Sequence, residues 1–562
     1  MPYVVGVSSG IFAAAPEAER MQYATLSKKA EYCITKGVQF VQIDLESVAE
    51  FKSPNLPREM ERIKRLGIDF GIHSETRAFG VEVAELDSAI ELDYTFGHRR
   101  LWEILDQSGK IGSRYVLIHS SESEPFRFLG RVLQPTMLVD IWGRPLSKFI
   151  EQEKIEGKPI MDWVRKSEWM WVDFIGEEPS KVIERELEMS ARRLGRALTD
   201  EEKKNIIEAE EKYLKDLFLR HIQSRALHYG PERIAYFITA KWMEDKKDPL
   251  WENIVKATVE FFAKIEQKTV EQFKSEKSIK EFSVDDEKFR MHDYLWVPAV
   301  SAKYIWGHLN QELCPTGPVF PELDLKQKMR VKTADGKVYT MPLVLETPMA
   351  RRGIEEWLRL PNPIQMYYLA KEVNEKAGFE CLLLAMDFEH MLSIKLEPEK
   401  VIDALPEDGG KYVRVIHAGY PTPLAPAHIP IPLGSEQQQY LYKMYYKLRK
   451  KGFVDPKKDF FLIFERGGGV DPIQQSIIAL RKIIEFLEKD IKPEELIKYP
   501  EFYGIAVGEL ASPERQWATI REHAYEPLKG LIVAPEEEYT GLGRAAIERG
   551  APPEKWKKEE LR

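Results

Sequence analysis

Residues 381–390 read CLLLAMDFEH, an apolar run that stops at Asp387 and is followed three residues later by His390. A short apolar run bounded by charge is typical of an interior strand, and it places both side chains at the carboxyl end of that strand. Five other apolar runs also end in a residue that can bind a metal ion, namely DFGIH at His73, YVLIH at His119, LVLE at Glu346, YVRVIH at His417 and FFLIFE at Glu465. Carboxylates and imidazoles that converge from many strand ends indicate a metal-dependent barrel enzyme.

Strand and helix patterns alternate near both ends of the chain. Four strand candidates lie before residue 123, separated by helical patterns such as 16–36, 57–66 and 101–107. Four more follow residue 341, and the last long helix opens with Asp471 and Pro472. Parallel strands joined by right-handed crossovers close at eight, so the pattern predicts an α/β fold of the (β/α)8 TIM barrel type.

The alternation stops between strands 4 and 5. Residues 124–340 are mostly helical in pattern, with long mixed-charge segments at 200–225 and 251–273 and a hairpin at 330–340 that turns at Asp335 and Gly336. We therefore expect four regions: barrel strands 1–4 in residues 1–123, a mainly helical insertion in 124–340, barrel strands 5–8 in 341–490 and a C-terminal extension in 491–562. The extension, with a predicted helix at 513–525, either covers the barrel or joins copies of the chain into a homo-oligomer.

Composition narrows the function classes. The net charge of −9 over 562 residues disfavours sequence-independent binding of nucleic acid. Three cysteines without paired spacing argue against disulfides and favour a reducing cytoplasm. The chain starts without a basic leader, and no stretch approaches the roughly 18 apolar residues of a membrane span. The 31% of charged residues is typical of proteins that use ion-pair networks at high temperature.

The candidate ligands predict a metal site more strongly as a group than singly. A single histidine after an apolar run is ordinarily a structural residue. Here three carboxylates accompany the histidines, and such a cluster would repel itself in a low-dielectric pocket unless a cation bound it. We therefore expect metal ligation by His73, His119, His390, His417, His428, Glu346, Asp387 and Glu465.

On these residues the barrel portion resembles the xylose isomerase-like superfamily of TIM barrels, which includes apurinic endonuclease IV and the sugar isomerases and epimerases. Glu346, Asp387, His417 and Glu465 match the quartet that holds one divalent metal in both branches. The DFEH sequence that starts at Asp387 matches the Asp-x-x-His pattern of the sixth strand. The resemblance covers the barrel and says nothing about residues 124–340.

Other positions bear on the endonuclease branch. His73 and His119 resemble the two imidazoles that hold a second metal there, with Glu346 as the bridge. His428, with His390 as its partner, resembles a ligand for a third metal. Pro426 stands where that branch has an aspartate, and SETR after His73 differs from its DNA-gripping stretch, so a third site and a duplex DNA substrate are both disfavoured.

The resemblance implies a divalent-metal enzyme with Glu346, Glu465 and His390 as catalytic residues. Because a di-metal hydrolase gives the extra histidines a role, we expect hydrolysis of a phosphoester or sugar-phosphate-like substrate, with two zinc, manganese or iron ions and a range of one to three. The alternative is a sugar or sugar-phosphate isomerase or epimerase with one metal. A third reading is a metal-binding protein without turnover.

Three further residues are predicted to support the site. Glu75 and Glu122 follow strands 3 and 4, where a carboxylate can orient a metal-bound imidazole through its other N–H; a solvated loop charge is the alternative. Arg466, next to Glu465, can meet a phosphate with its bidentate guanidinium, or it can form a structural ion pair. Asp44 and Glu46, near the end of strand 2, are weaker site candidates.

Overall fold

The computed structural model describes residues 2–9, 25–34, 37–45, 50–51, 53–74, 85–121, 137–167, 169–171, 178–224, 231–333, 336–348, 358–419, 429–465 and 472–505. All eight predicted strands and most of the helical segment between the fourth and fifth lie in these ranges. The predicted helix at 513–525 lies outside the described residues.

Eight parallel strands close into a barrel, which confirms the predicted fold. Each strand pairs with its neighbours in chain order, and the last pairs with the first. The strands are β1 (Tyr3–Ser8), β2 (Phe40–Asp44), β3 (Asp69–His73), β4 (Val116–His119), β5 (Leu343–Glu346), β6 (Leu382–Asp387), β7 (Val413–His417) and β8 (Phe460–Phe464).

The strands are buried on both sides because alternate residues point into the barrel and towards the surrounding helices. On β6, Leu383 and Ala385 face the barrel interior, whereas Leu382 and Leu384 pack into the outer core. The interior is filled by large side chains and leaves no open pore, and its members are Phe40, Tyr115, Leu117, Val344, Leu383, Ala385, Val415, Phe461 and Ile463.

Helices surround this barrel and follow the expected positions with shifted ends. The helix predicted at 101–107 extends over Glu91–Ile111, and the one predicted at 57–66 spans Leu56–Arg65. The remaining helices that alternate with barrel strands are Leu26–Ile34, Pro363–Ala377, Phe388–Ser393, Pro398–Ala404, Glu436–Lys450 and Pro472–Glu488.

The described chain between β4 and β5 is mainly helical. The pattern at 251–273 forms two helices, because the chain turns at Gln267 (φ 56°) and a capping box at Thr269 starts the second. The predicted hairpin is confirmed as strands Arg330–Lys332 and Val338–Thr340. The helices are Leu146–Gln152, Ile160–Lys166, Pro179–Leu194, Asp200–Ser224, Pro231–Asp245, Pro249–Ile265, Val270–Glu276, Glu287–Arg290, Asp293–Leu309 and Leu325–Met329. The four-region division stays a prediction.

Among the described helices, none combines the length and apolarity that crossing a bilayer requires.

A buried charge cluster joins this helical segment to both halves of the barrel. Arg359, which is fully buried, donates from Nη2 to Glu232 Oε2 at 2.6 Å and from Nη1 to the Asp87 carbonyl at 3.0 Å. The Asp87 carboxylate also accepts from the hydroxyls of Ser121 and Ser301, at 3.1 and 3.2 Å. Burial outweighs the nearby Arg359 charge and raises the pKa of Asp87 to about 6. Ser121 follows His119 by two residues, so the cluster lies close to the carboxyl ends of the barrel strands.

One testable consequence concerns Gly71 on β3, where an added Cβ would lie 2.3 Å from Cζ of the Tyr115 ring. Because the ring is enclosed in the barrel interior, Gly71→Ala should lower the free energy of unfolding by about 2 kcal/mol or more. Denaturant titration measures this change. Gly109→Ala, within a helix and 3.2 Å from a methyl group of the half-buried Val331, is the control and should change stability by less than about 1 kcal/mol. Equal stability of Gly71→Ala and wild type would contradict the packing described here.

A second consequence concerns pH. Folded Asp87 holds its proton up to about pH 6, whereas the unfolded side chain releases it near its usual value of 3.8. The folded state therefore binds more protons in that window and loses stability as pH rises through it, by about 3 kcal/mol. Asp87→Asn should lack this loss, so stability curves of the two proteins between pH 4 and 7 should differ in slope. Asp200→Asn, at a fully exposed site, should follow wild type. Parallel curves for wild type and Asp87→Asn would refute the assignment.

Candidate metal centre

Glu346 lies at the centre of the carboxyl end of the barrel and is fully buried. It is the last residue of β5, and the strand register sets it beside His119 on β4 and Ala385 on β6. A carboxylate buried this deeply must be compensated by hydrogen bonds, cations or protons, because its desolvation is costly. Its two oxygens face two different groups of side chains.

The Oε1 side of Glu346 faces three other predicted ligands. His417 Nδ1 lies 2.6 Å from Glu346 Oε1, 3.1 Å from Glu465 Oε2 and 3.4 Å from Asp387 Oδ2. One ligand atom from each of the four residues lies within 4.8 Å of the others. Strands β5 to β8 thus bring together the four residues that sequence reasoning grouped as a quartet.

The Oε2 side faces the two histidines of β3 and β4. His73 Nε2 lies 3.0 Å from Glu346 Oε2 and His119 Nε2 lies 3.4 Å from it. The imidazole rings meet edge to face, 5.4 Å apart. Glu346 is therefore shared between two groups of candidate ligands, and its role as a metal bridge stays a prediction.

The DFEH sequence at the end of the sixth strand both caps a helix and places two side chains at the site. Asp387 ends β6 and caps helix Phe388–Ser393, because its Oδ1 accepts from the backbone N–H groups of Glu389 and His390 at 2.7 and 2.9 Å. The second oxygen, Oδ2, is then directed towards His417. The first turn of this helix places His390 beside the site, where its Nδ1 lies 3.5 Å from Glu346 Oε1.

Backbone carbonyls orient two of the imidazoles. His73 Nδ1 lies 2.8 Å from the Ser74 carbonyl, and His390 Nδ1 lies 2.9 Å from the Thr347 carbonyl. A carbonyl can only accept, so Nδ1 carries the proton in each ring and Nε2 is left to hold a lone pair or a second proton. His73 Nε2 therefore meets Glu346 either as an imidazolium or through a bound cation.

The electrostatics follow from this crowding. Burial alone would raise the pKa of Glu346, but the charge of His417 and hydrogen bonds from the surrounding histidines hold it well below its usual value. Burial lowers the pKa of His417, yet the charges of Glu346 and Glu465 raise it well above the usual value. Burial also lowers the pKa of His73, but the hydrogen bond and the charge of Glu346 raise it by more, so the pKa of His73 lies above its usual value. Positive charge is thus favoured at His73 and His417.

The residues fit a divalent cation at the quartet. Glu346 Oε1 and His417 Nδ1 approach to 2.6 Å, yet neither atom has a hydrogen-bond partner among the described residues. Three carboxylates and one imidazole are donors that zinc, manganese and iron accept. A cation among these atoms would compensate the three negative charges that the barrel has gathered there.

The residues of the cluster differ in exposure. Glu346, Asp387 and His417 are completely buried, whereas the side chains of Glu465, His390 and His119 are 10–12% exposed. The open side of the site is formed by those three residues together with Asp44, whose side chain is 19% exposed.

Several predicted residues lie outside the described part of the chain. They are His428, Glu75, Glu122 and Arg466, together with Glu46. The proposed third metal ligand and the three supporting residues thus stay predictions.

Two polar residues of the second strand were missed or undervalued by the sequence analysis. Gln42 lies below the quartet, with Oε1 3.1 Å from His417 Nε2. Asp44 accepts from the Ser8 hydroxyl at 2.6 Å, and its Oδ1 lies 3.9 Å from His73 Nδ1. The available signal was a glutamine in the interior of the run VQFVQIDL, where a fully buried strand is otherwise apolar.

No protein-family model matches the chain, and no curated protein matches its sequence. Solved structures do match. L-ribulose 3-epimerase is 10% identical, with 88% of this chain and 98% of that chain covered and a TM-score of 0.35. D-psicose 3-epimerase in the presence of D-fructose is 9% identical (85% and 97%, TM-score 0.37), and 3-keto-D-glucoside 4-epimerase from E. coli is 10% identical (86% and 99%, TM-score 0.33).

The chain has the fold of a TIM barrel, because its eight parallel strands close into a ring. This is the fold that the resemblance to the xylose isomerase-like superfamily implied. At 9–10% identity and TM-scores of 0.33–0.37, the matches to epimerases carry no argument about the reaction of this barrel.

The cap and ligand roles of Asp387 can be separated. Adding Mn²⁺ to chelator-treated protein should raise its Tm, because a ligand that binds only the folded state at 100 times its Kd stabilises by about 2.7 kcal/mol. Asp387→Asn keeps the capping oxygen but removes one negative charge, so most of this increase should disappear. Asp324→Asn makes the same change at the cap of helix Leu325–Met329 and should respond as wild type. An undiminished increase in Asp387→Asn would contradict the quartet.

Proposed function

We propose that the protein is a divalent-metal-dependent enzyme that isomerises or epimerises a small sugar-like substrate. The observation that supports this proposal is the convergence of Glu346, Asp387, His417 and Glu465 on one buried point at the carboxyl end of the barrel. Zinc, manganese and iron all suit this donor set.

The chemistry follows from what these residues can do. A bound divalent cation would polarise a sugar carbonyl or hydroxyl and so acidify the neighbouring C–H. Glu465, at the open side of the quartet, is placed to accept that proton, and Glu346 is the second carboxylate available to return one. His390 and His119, also at the open side, are positioned to contact substrate hydroxyls.

One cation is favoured over two because the two sides of Glu346 differ. His73 Nε2 and Glu346 Oε2 form a hydrogen bond at 3.0 Å, so a proton on His73 can satisfy that oxygen. Glu346 Oε1 and His417 Nδ1, at 2.6 Å, form none. The quartet gathers three carboxylates around one imidazole, so a proton on His417 would leave most of their charge uncompensated. On the other side, two histidines meet one carboxylate, Glu346, and one proton there is sufficient.

A di-metal hydrolase is the second candidate. Its supporting observation is that His73, His119 and Glu346 form a ligand group of their own, adjacent to the quartet and joined to it by Glu346. Two cations on this bridge would suit attack by water on a phosphoester. The substrate would again be small, because the net charge of −9 disfavours nucleic acid.

Metal content distinguishes the candidates. Protein purified without added metal should carry one divalent ion per chain, and His119→Ala should still carry one, because His119 is outside the quartet. Elemental analysis gives the count. A wild-type content of two that falls to one in His119→Ala would favour the hydrolase, and a content of none would overturn both candidates.

Proton exchange tests the reaction. With Mn²⁺ in D₂O, a panel of ketoses, aldoses and their phosphates should yield at least one sugar with deuterium beside its carbonyl, read by mass spectrometry and NMR. Glu465→Gln should slow exchange by about 10²- to 10⁴-fold, the usual contribution of a general base. Glu397→Gln, at an exposed carboxylate, is the control. Phosphate release without exchange would support the hydrolase, and retained cation with neither reaction would contradict an enzyme.

A further inference from the structure

We infer that Gln42 is a positioning residue that sets the tautomer of His417 and thereby the cation affinity of the quartet. The inference rests on the proposed function, since it concerns the same cation. It is carried by a hydrogen-bonded chain in the barrel interior that runs from Tyr115 through Gln42 to His417.

The contacts are direct. Gln42 is fully buried on β2, and its Oε1 lies 3.1 Å from His417 Nε2 and 3.0 Å from the Tyr115 hydroxyl. Tyr115 donates its proton to that oxygen. An amide oxygen only accepts, so His417 must carry a proton on Nε2 to complete the second bond.

The consequence appears on the other side of the ring. A neutral imidazole with its proton on Nε2 has its lone pair on Nδ1, and Nδ1 is the atom 2.6 Å from Glu346 Oε1. Two lone-pair atoms at that distance repel unless a cation or a proton lies with them. Gln42 therefore prepares His417 Nδ1 as a ligand.

Neighbouring residues explain why Gln42 keeps this orientation. The strand register places Gln42 beside Gly71 on β3, and the absence of a side chain at Gly71 leaves room for the Tyr115 ring. The ring carries its hydroxyl to Gln42 Oε1. The amide nitrogen of Gln42 has no hydrogen-bond partner among the described residues, so the oxygen makes both fixed contacts.

The experiment measures Mn²⁺ and Zn²⁺ affinity by competition with a chromogenic chelator, together with Tm of the metal-free protein. Gln42→Leu removes the acceptor and should weaken binding by about 10- to 100-fold, the usual effect of losing a partner of a metal-bound histidine. Gln42→Glu retains an acceptor and should bind at least as tightly as wild type. Tyr115→Phe keeps the ring but frees the amide to rotate, so a smaller loss is expected.

A matched control separates positioning from stability. Gln438 is also fully buried and makes two side-chain hydrogen bonds, to the Gly434 N–H and the Phe502 carbonyl, but it lies on the outer helix Glu436–Lys450. Gln438→Leu should lower Tm without changing cation affinity. If Gln42→Leu does not fold, Gln42→Met replaces it.

The outcomes are distinct. Wild-type affinity in folded Gln42→Leu or Gln42→Met would overturn the inference and leave the proposed function standing. Equal losses in the Leu and Glu variants would also overturn it, because an acceptor would then be irrelevant. Failure of the wild-type protein to bind either cation would overturn the proposed function itself.

Discussion

A carboxylate that is fully buried at the mouth of a closed barrel is the constraint on which this structure depends. Glu346 has no exposed surface, and its charge must be compensated by what the neighbouring strands supply. Histidines approach from both sides, at 2.6 Å from β7 and at 3.0 Å from β3. Two more carboxylates add negative charge, and so the cluster is complete only with further positive charge, whether from protons or from a divalent cation.

The barrel makes this arrangement possible because its strand ends meet at one point and its interior is packed below that point. Leu383 and Ala385 alternate inward on β6, so that Asp387 is the next inward position at the carboxyl end. Beneath the candidate ligands, the barrel interior is polar where Gln42 and Tyr115 meet His417. The fold therefore fixes the positions of the candidate ligands and, on the inference drawn from Gln42, the protonation of His417 as well.

The barrel and the convergence of ligand-type residues were predictable because both leave a local signal, an apolar run ended by such a residue. The grouping of four of these residues as a quartet came from the family resemblance. The polar contacts beneath the site and the buried charge cluster beside it could not be predicted in this way. Gln42 is one polar residue within a strand, and the Arg359–Glu232–Asp87 cluster joins positions more than a hundred residues apart, for which spacing gives no indication. Helix ends also differed, since the turn at Gln267 depends on backbone geometry that hydrophobic periodicity does not report. The reaction itself was least predictable, because one quartet serves proton transfer and hydrolysis alike.

The most direct measurement is anomalous diffraction from crystals of the full chain grown with Mn²⁺ or Zn²⁺ and recorded at the absorption edge of the metal. The account predicts an anomalous peak in the barrel mouth, about 2.0–2.3 Å from one donor atom each of Glu346, Asp387, His417 and Glu465. Well-ordered crystals with these four side chains in place and no peak between them, or with a peak only elsewhere on the protein, would contradict it.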